Sequence, residues 1–318
     1  MKGDDLKLKG IAGFFVRMFK TRYGQISFHF VDYTIMSYVF FMGVLVIPFH
    51  HDVPHWGFYP FFHIVLLFLI LEFLRWYTKR PTKILRFFRT FYPAFALPFA
   101  WSELNNFVTM IFPYWANDFV VNLDLRIFGV HPTVWVEKLF RPWLTELMNF
   151  FYAFYFFFIP IGGLSLYLRK REKETLDFMF LVSFTYSISF ILFLFFPAEG
   201  PWVILKNLHT VKPTGGFFLK LNQFVQGRGS IRGGCFPSSH VAAAFTIVWA
   251  TFRYQWKLGI VLLPFAFGVA AATVYCRYHH GVDALSGMIL GTILYGVGVF
   301  ILKQRDRRKN LSSKITQI

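Results

Sequence analysis

The sequence predicts an all-α integral membrane protein with about eight transmembrane helices. Its composition is the first reason: of 318 residues, 56% are hydrophobic, 22% are aromatic and only 15% are charged, whereas about a quarter of the residues in a soluble domain are charged. The second is a series of apolar runs that reach or approach the ~20 residues needed to cross a bilayer. They lie at 29–49, 57–75, 91–113, 147–168, 177–197, 238–254, 258–276 and 283–303.

The basic residues support the same interpretation. The net charge is +17, and Lys and Arg cluster in the N-terminal segment, in the links after the second, fourth and sixth runs, and in the tail. All five clusters fall on one side if every run crosses, and that side, with both termini, is expected to be cytoplasmic. No nucleic-acid recognition motif accompanies the charge, so the expected partner is the lipid bilayer and not a nucleic acid.

The N-terminal segment shows no secretory signal peptide, because the first long apolar run is longer than a signal sequence requires. We expect this run to be retained as a membrane span. A surface amphipathic helix near Ile11–Phe19 is predicted to precede it.

The third run contains the polar residues Ser102, Glu103, Asn105 and Asn106. Such side chains must face protein or water within a membrane. Two roles stay open for them: contact with a substrate headgroup, or hydrogen bonding between helices.

The stretch RYHHGVD opens the last apolar run. His279 and Asp283 are four residues apart, so on one helical turn they share a face. The carboxylate can then hold one imidazole nitrogen and leave the other free as a nucleophile. Arg277 can hold an anion through its fork of donors. An i,i+3 contact would pair His280 with Asp283 instead.

The stretch FPSSH opens the sixth run on the same predicted face. The hydroxyls of Ser238 and Ser239, with the N–H groups of the helix start, can bind a phosphate. His240 can protonate a leaving oxygen. Together the two stretches supply a nucleophile, an acid and donors for an oxyanion, which suits phosphoryl transfer.

With Pro237-Ser238-Ser239-His240, Arg277 and His279-x-x-x-Asp283, the chain resembles the type 2 phosphatidic acid phosphatase superfamily, which includes vanadium haloperoxidases. The resemblance implies a phosphohistidine at His279 oriented by Asp283, with His240 as acid and base, and no metal or cofactor. It also implies that the last six helices form the family core. We expect four segments. A basic cytoplasmic segment covers 1–28, and two accessory helices with a basic cytoplasmic loop cover 29–90. The six-helix catalytic core covers 91–303, and a basic cytoplasmic tail covers 304–318.

The motifs depart from the commonest family pattern. Arg277 stands two residues before His279, as in the inositol phosphorylceramide synthase-like branch, and the usual first motif of Lys followed by Arg-Pro is absent. The phosphate must then be held by another cation, of which Arg232 is the first choice. The alternatives are Arg141, Lys206, Lys212 and Arg228.

Other polar residues are given less specific roles. Glu199 either shapes the substrate mouth or closes a turn. Cys235 and Cys276 are either a bridge between loops or two small buried thiols. The remaining histidines are expected at membrane edges or in loops without catalytic roles: His29, His50, His51, His55, His63, His131 and His209.

The expected function is an enzyme that takes phosphate from a membrane lipid phosphate or diphosphate at the non-cytoplasmic face. Water as acceptor makes it a hydrolase, and a lipid or inositol hydroxyl makes it a transferase. A contrasting hypothesis is a non-enzymatic transporter or scaffold whose polar residues line a passage. The sequence names neither the lipid nor the oligomeric state.

Overall fold

A computed structural model describes residues 20–315, with side chains placed up to residue 308. The predicted amphipathic helix near Ile11–Phe19 lies outside the described residues. Within them the chain is helical, and no strand forms beyond an isolated bridge between Ala198 and Gly234. An all-α fold is therefore confirmed for this part of the chain.

Beyond a helical turn at residues 20–23, the described residues form thirteen α-helices. The first six are α1 (Phe30–Leu45), α2 (Phe58–Lys79), α3 (Lys83–Phe107), α4 (Asn117–Phe128), α5 (Pro132–Trp135) and α6 (Pro142–Phe154). The others are α7 (Ser165–Leu168), α8 (Glu172–Phe195), α9 (Pro201–Ile204), α10 (Phe217–Gly229), α11 (Ser239–Tyr254), α12 (Trp256–Tyr275) and α13 (Gly281–Ile315). Short 3-10 turns lie at His50–Asp52, Val136–Leu139 and Tyr155–Phe157, and a π-helical turn at Pro160–Leu164.

Every predicted apolar run overlaps at least one of these helices, and the run at 147–168 is divided among α6, two short turns and α7. The helices differ in length and apolarity. Four described helices, α2, α8, α12 and α13, are long and apolar enough to cross a membrane. A fifth crossing is possible if the segments Pro142–Phe157 and Pro160–Leu168, bent by 43°, act together. α1 and α11 have 16 residues each, and α3 carries internal prolines and polar residues. Several membrane helices are thus present, and the count of eight stays a prediction.

Helix α8 lies at the centre of the bundle. It packs against α1, α3, α11 and α13, and 67% of its most apolar stretch is buried, against 17% for α2. The buried aromatic residues Phe178, Phe190 and Phe193 project from it into the core. α2 instead leaves its apolar surface free, as expected for a helix that faces lipid.

Polar contacts gather the basic segments at one end of the bundle. Arg89 at the start of α3 pairs with the buried Asp32 of α1 at 2.5 Å. Arg305 near the end of α13 binds Asp177 of α8 through two nitrogens, and Arg171 before α8 donates to the carbonyl of Tyr254 at the end of α11. α11 therefore runs from the opposite end, where Ser239 and the histidines lie, toward this basic end.

The polar residues of the third run lie on α3, where Glu103 faces a histidine of α2. Nε2 of His63 is 3.3 Å from Oε2 of Glu103, and both residues are buried. Nδ1 of His63 lies 2.6 Å from the carbonyl oxygen of Tyr59. Glu103 thus joins two helices, which favours the helix-packing role for this residue.

Helices α11 and α13 approach each other closely along a pair of glycines. A Cβ atom on Gly287 would lie 2.6 Å from the carbonyl oxygen of Ser238, and one on Gly291 would lie 2.2 Å from that of Ala242. Glycines four residues apart let membrane helices pack backbone to backbone. This contact holds the starts of the two helices, and so the two histidine motifs, side by side.

We expect Gly291→Ala to destabilise the protein, because the added methyl group must push α13 away from α11. Overpacking of this kind costs about 1–3 kcal/mol. Gly296→Ala on the same helix is the matched control, since a Cβ there meets nothing within 4 Å, and alanine favours a helix over glycine. Thermal unfolding in detergent should show a lower midpoint for the first variant alone; equal midpoints would contradict the close packing.

Candidate active site

The two histidine motifs meet through the backbone. The N–H of Ser238, which precedes α11, donates to the carbonyl of Asp283 in α13 at 3.0 Å. Ser238 caps α11, because its hydroxyl accepts from the N–H of Val241 at 3.4 Å. Ser238 and Ser239 are both buried at this junction.

The ring of His279 is oriented by a backbone carbonyl. Its Nδ1 lies 2.9 Å from the carbonyl oxygen of Cys235 and 3.5 Å from Oδ2 of Asp283. A carbonyl can only accept a hydrogen bond, so the proton belongs on Nδ1. Nε2 then keeps its lone pair, as a nucleophilic nitrogen requires.

Asp283 is fully buried and organises the residues around His279. Its Oδ2 accepts from the N–H of His280 at 2.7 Å and from the thiol of Cys235 at 3.0 Å. Burial raises the pKa of the Cys235 thiol well above its usual value, and the neighbouring Asp283 raises it further. The thiol therefore stays protonated at neutral pH and serves as a donor to the carboxylate.

His280 points to a different carboxylate. Its Nδ1 is 3.5 Å from Oδ2 of Asp124 in α4, and both side chains are fully buried. Burial acts to lower the pKa of His280, but Asp124 and Asp283 outweigh it, so the pKa is raised. Of the two pairings that the sequence allowed, the structure places the ring of His279, and not that of His280, beside Asp283.

His240 faces His279 from the first turn of α11. The centroids of the two rings are 5.7 Å apart. The aromatic rings of Tyr155, Tyr152 and Trp101 surround His240 at 4.8, 5.8 and 5.8 Å. Its Nδ1 is buried without a hydrogen-bond partner among the described residues, so this nitrogen is available to a bound molecule.

Arg277 is engaged by protein groups. It donates to Oε1 of Glu137 and to the carbonyl of Val211, both at 2.6 Å. Its backbone has φ of 64°, a left-handed conformation that glycine adopts more readily.

Arg232 is the more accessible of the two arginines. It pairs with the buried Glu199 and lies over the ring of Trp115 at 5.0 Å, and its side chain remains 63% exposed. Glu199 also accepts from the side-chain amide of Asn117 at 2.8 Å. Glu199 thus ties the outer loop to α4 as well as to Arg232.

Two acidic residues at the site were not selected from the sequence. Asp124 accepts from the N–H groups of Gly281 and Val282 at 3.3 and 2.7 Å, so it caps α13 from another helix. The carboxylate of Glu137 accepts hydrogen bonds from the guanidinium of Arg277 and from the N–H groups of Thr210 and Val211. Both lie in the stretch 123–156, whose sequence resembles the inositol phosphorylceramide synthase-like branch, but that resemblance did not single out either acidic residue.

Three of the site residues could also hold a metal ion. Sγ of Cys235, Nδ1 of His279 and Oδ2 of Asp283 lie within 4.8 Å of one another, and thiol and imidazole ligands suit zinc. All three atoms already take part in the hydrogen bonds described above. Cys235 and Cys276 are both free thiols.

We expect Cys235 to react slowly with maleimides at neutral pH, because its raised pKa leaves little thiolate. A Cys276→Ser variant leaves Cys235 as the single thiol, and mass spectrometry measures its labelling with time. Labelling should be slow in the folded protein up to pH 9 and fast after denaturation. Rapid labelling of the folded protein at pH 7 would contradict the buried, protonated thiol.

Comparisons with known proteins identify the family of this chain. A family model described as the PAP2 superfamily matches residues 119–297, which include both histidine motifs. No solved structure matches the chain significantly.

Three curated relatives show the range of similar proteins. A PA-phosphatase related-family protein of Dictyostelium discoideum is 35% identical over 37% of this chain and 23% of its own length. The phosphoinositol dihydroceramide synthase of Bacteroides thetaiotaomicron is 24% identical over 47% of this chain and 56% of its own. The bacitracin transport permease protein BcrC of Bacillus licheniformis is 23% identical over 47% and 68%.

The part of this chain that matches spans about a quarter of the length of the Dictyostelium protein and about half that of the Bacteroides synthase. The family model, in contrast, covers more than half of this chain. It also covers the two stretches that carry the resemblance seen in the sequence. The chain belongs to the PAP2 superfamily.

Proposed function

We propose that this protein is a membrane-embedded enzyme that removes phosphate from a lipid phosphate or diphosphate through a phosphohistidine at His279. The observation that carries the proposal is the hydrogen bond from Nδ1 of His279 to the carbonyl of Cys235. It leaves the Nε2 lone pair free, and His240 lies beside it as a proton donor.

In the first step, the Nε2 lone pair of His279 attacks phosphorus and the bond from phosphorus to the lipid oxygen breaks. His240, in its protonated form, gives its proton to the departing oxygen, which leaves as an alcohol. For a diphosphate substrate the leaving group is the lipid monophosphate. Asp283 stabilises the positive charge that develops on the His279 ring.

In the second step, His240 takes a proton from water as the water oxygen attacks phosphorus. The bond from phosphorus to Nε2 breaks, inorganic phosphate leaves and His279 regains its lone pair. His240 ends the cycle protonated, ready for the next substrate. No redox partner or metal ion is needed for this sequence.

Four residues are proposed to hold the phosphoryl oxygens. Ser238 and Ser239 lie at the start of α11, where helix N–H groups favour an anion. Arg232 is exposed and can turn from Glu199 to a phosphate. Arg277 contacts Glu137 and Val211 through Nη2 alone. Its buried Nε has no hydrogen-bond partner among the described residues, so this nitrogen can donate to a phosphoryl oxygen.

A second candidate function is transfer of the phosphate-linked group to a lipid or inositol hydroxyl. The similarity to a phosphoinositol dihydroceramide synthase favours it, as does the short spacing of Arg277 and His279. Only the acceptor of the second step differs. A non-enzymatic transporter or scaffold is the contrasting proposal, and it predicts no turnover.

The membrane arrangement is part of the proposal. The basic end of the bundle would face the cytoplasm with both termini, and the histidines would act at the other face. Residues 91–303 would form the catalytic core, with α1 and α2 as accessory helices. The match of the family model within this range supports that division.

His279→Ala should abolish turnover, because no other group can form the covalent intermediate. The assay uses purified protein in detergent with EDTA and a panel of lipid phosphates and diphosphates, and follows free phosphate and new phospholipids together. His209→Ala is the matched control, since His209 lies in the outer loop with no such role. Loss in the first variant alone is expected.

The intermediate itself can be trapped. Wild-type protein mixed with ³²P-labelled substrate and quenched in alkali should carry label on His279. Free phosphate identifies a hydrolase, and a new lipid conjugate without free phosphate identifies a transferase. An active His279→Ala protein, or a folded wild type that yields neither product with any lipid tried, would overturn the proposed mechanism.

The two arginines should behave differently on replacement. Arg232→Ala is expected to raise KM about tenfold, since it removes a charged hydrogen bond to phosphate. It should lower the melting temperature less than Arg277→Ala does, because the mostly exposed Arg232 forms a solvent-screened pair with Glu199. Arg277→Ala leaves Glu137 without its cation and should lower the melting temperature by about 5 °C or more. An unchanged KM in Arg232→Ala would remove it from the phosphate site.

A further inference from the structure

An apolar cavity of about 520 Å³ lies beside His240 and opens at the side of the bundle, where its lining residues Phe95 and Phe156 are exposed. Its wall is built by α3, α6, α8, α10 and α11, together with the bend after α6. Along α3 it extends from Phe87 to Trp101, which at 1.5 Å per residue is about 21 Å. The cavity therefore runs for about two-thirds of the ~30 Å hydrocarbon thickness of a bilayer.

The two ends of this cavity differ in chemistry. Toward the basic end its wall is hydrocarbon and aromatic, with Phe87, Phe91 and Leu164. At the histidine end it carries hydroxyls: Tyr155 is hydrogen-bonded to Tyr186, and Gln226 donates to the hydroxyl of Tyr152 at 2.5 Å. The cavity thus suits a molecule with a long apolar chain and one polar end.

The outer wall is held firmly by α10, which packs on α6. Glu146 of α6 accepts from the N–H groups of Gly216, Phe218 and Leu219 at the start of α10. Farther along, Asn222 donates to the side chain of Asn149 at 2.9 Å. These contacts keep Val225 and Gln226 in the wall.

We propose that this cavity binds the hydrocarbon chain of the lipid alcohol whose oxygen is joined to phosphorus, with that oxygen at His240. The inference rests on the proposed function, because it uses His240 as the group that exchanges a proton with this oxygen. His240 lines the cavity, whereas His279 is not part of its wall. The alcohol side of the phosphorus–oxygen bond therefore points into the cavity and the phosphate toward His279.

The assignment holds for either acceptor. In hydrolysis of a monophosphate, the chain leaves phosphorus as the alcohol and stays in the cavity until release. In transfer, a chain-bearing alcohol occupies the same cavity and attacks the phosphohistidine while His240 takes its proton. For an alkyl phosphate that enters from water as a monomer, each methylene group buried in the cavity adds about fourfold to binding. We therefore expect kcat/KM, measured below the critical micelle concentration, to rise with chain length.

The test uses n-alkyl phosphates with eight, twelve and sixteen carbons. Ala94 lies in the cavity wall, midway along α3 between Phe87 and Trp101. Ala94→Phe should fill the far half and shorten the chain that fits. Ala271→Phe is the matched control, because Ala271 is exposed on α12 and outside the cavity wall.

For the wild type and Ala271→Phe, kcat/KM should rise with chain length. For Ala94→Phe it should fall at least about tenfold with the sixteen-carbon phosphate and little with the eight-carbon one. Equal losses at every length, no loss at any length, or a wild type indifferent to chain length would overturn the chain assignment.

A second readout separates this inference from the proposed function. A sixteen-carbon alcohol with a photoreactive diazirine near its far end should crosslink to residues such as Phe87, Phe91 or Leu164, located by peptide mass spectrometry. Excess hexadecanol should suppress the labelling, and so should Ala94→Phe. Labelling there without any phosphate turnover would support the cavity and reject the proposed function; labelling confined to the outer surface would reject the cavity.

Discussion

The contact between α11 and α13 is the constraint on which the rest of the site depends. His240 and His279 are 39 residues apart in the chain, and each reaches the site from the start of a different helix. Only the absence of side chains at Gly287 and Gly291 lets the two backbones come close enough for Ser238 to bond directly to Asp283. The geometry of the histidines is thus set by main-chain packing, which is stiffer than any side-chain contact that could replace it.

Two carboxylates, the buried Asp124 and the partly exposed Glu146, complete the architecture by capping helices to which they do not belong. Asp124 of α4 takes the first N–H groups of α13, and Glu146 of α6 takes those of α10. Such groups would otherwise be unsatisfied at a helix start, and the negative charge is favoured there. These hydrogen bonds join α4 to the start of α13 and α6 to the start of α10. The contacts that stabilise the fold therefore also position the site.

Much of this molecule could be predicted from the sequence, because apolar runs and short motifs are local patterns. The runs located the long apolar helices, and the spacing of His279 and Asp283 predicted that their side chains lie close together. His279 itself precedes the first turn of α13. The partners of Arg277 and His280 could not be found in this way: Glu137 and Asp124 lie more than a hundred residues away in the chain, and neither belongs to a motif. The orientation of His279 by the carbonyl of Cys235 could not be predicted either, because every residue carries a main-chain carbonyl and the sequence does not show which one accepts a hydrogen bond.

The buried pair of His63 and Glu103 bears on how the protein enters the membrane. A carboxylate in a lone membrane helix opposes insertion, by about 2.5–3.5 kcal/mol at the helix centre and by less near the end of the helix, where Glu103 lies in α3. α3 also carries two prolines. The pair removes that penalty only when α2 is already beside α3, with Nε2 of His63 turned toward Glu103 by the carbonyl of Tyr59. The two helices are consecutive and joined by a short link, so they are suited to leave the translocation machinery together, as a hairpin that shields its own charge during biogenesis.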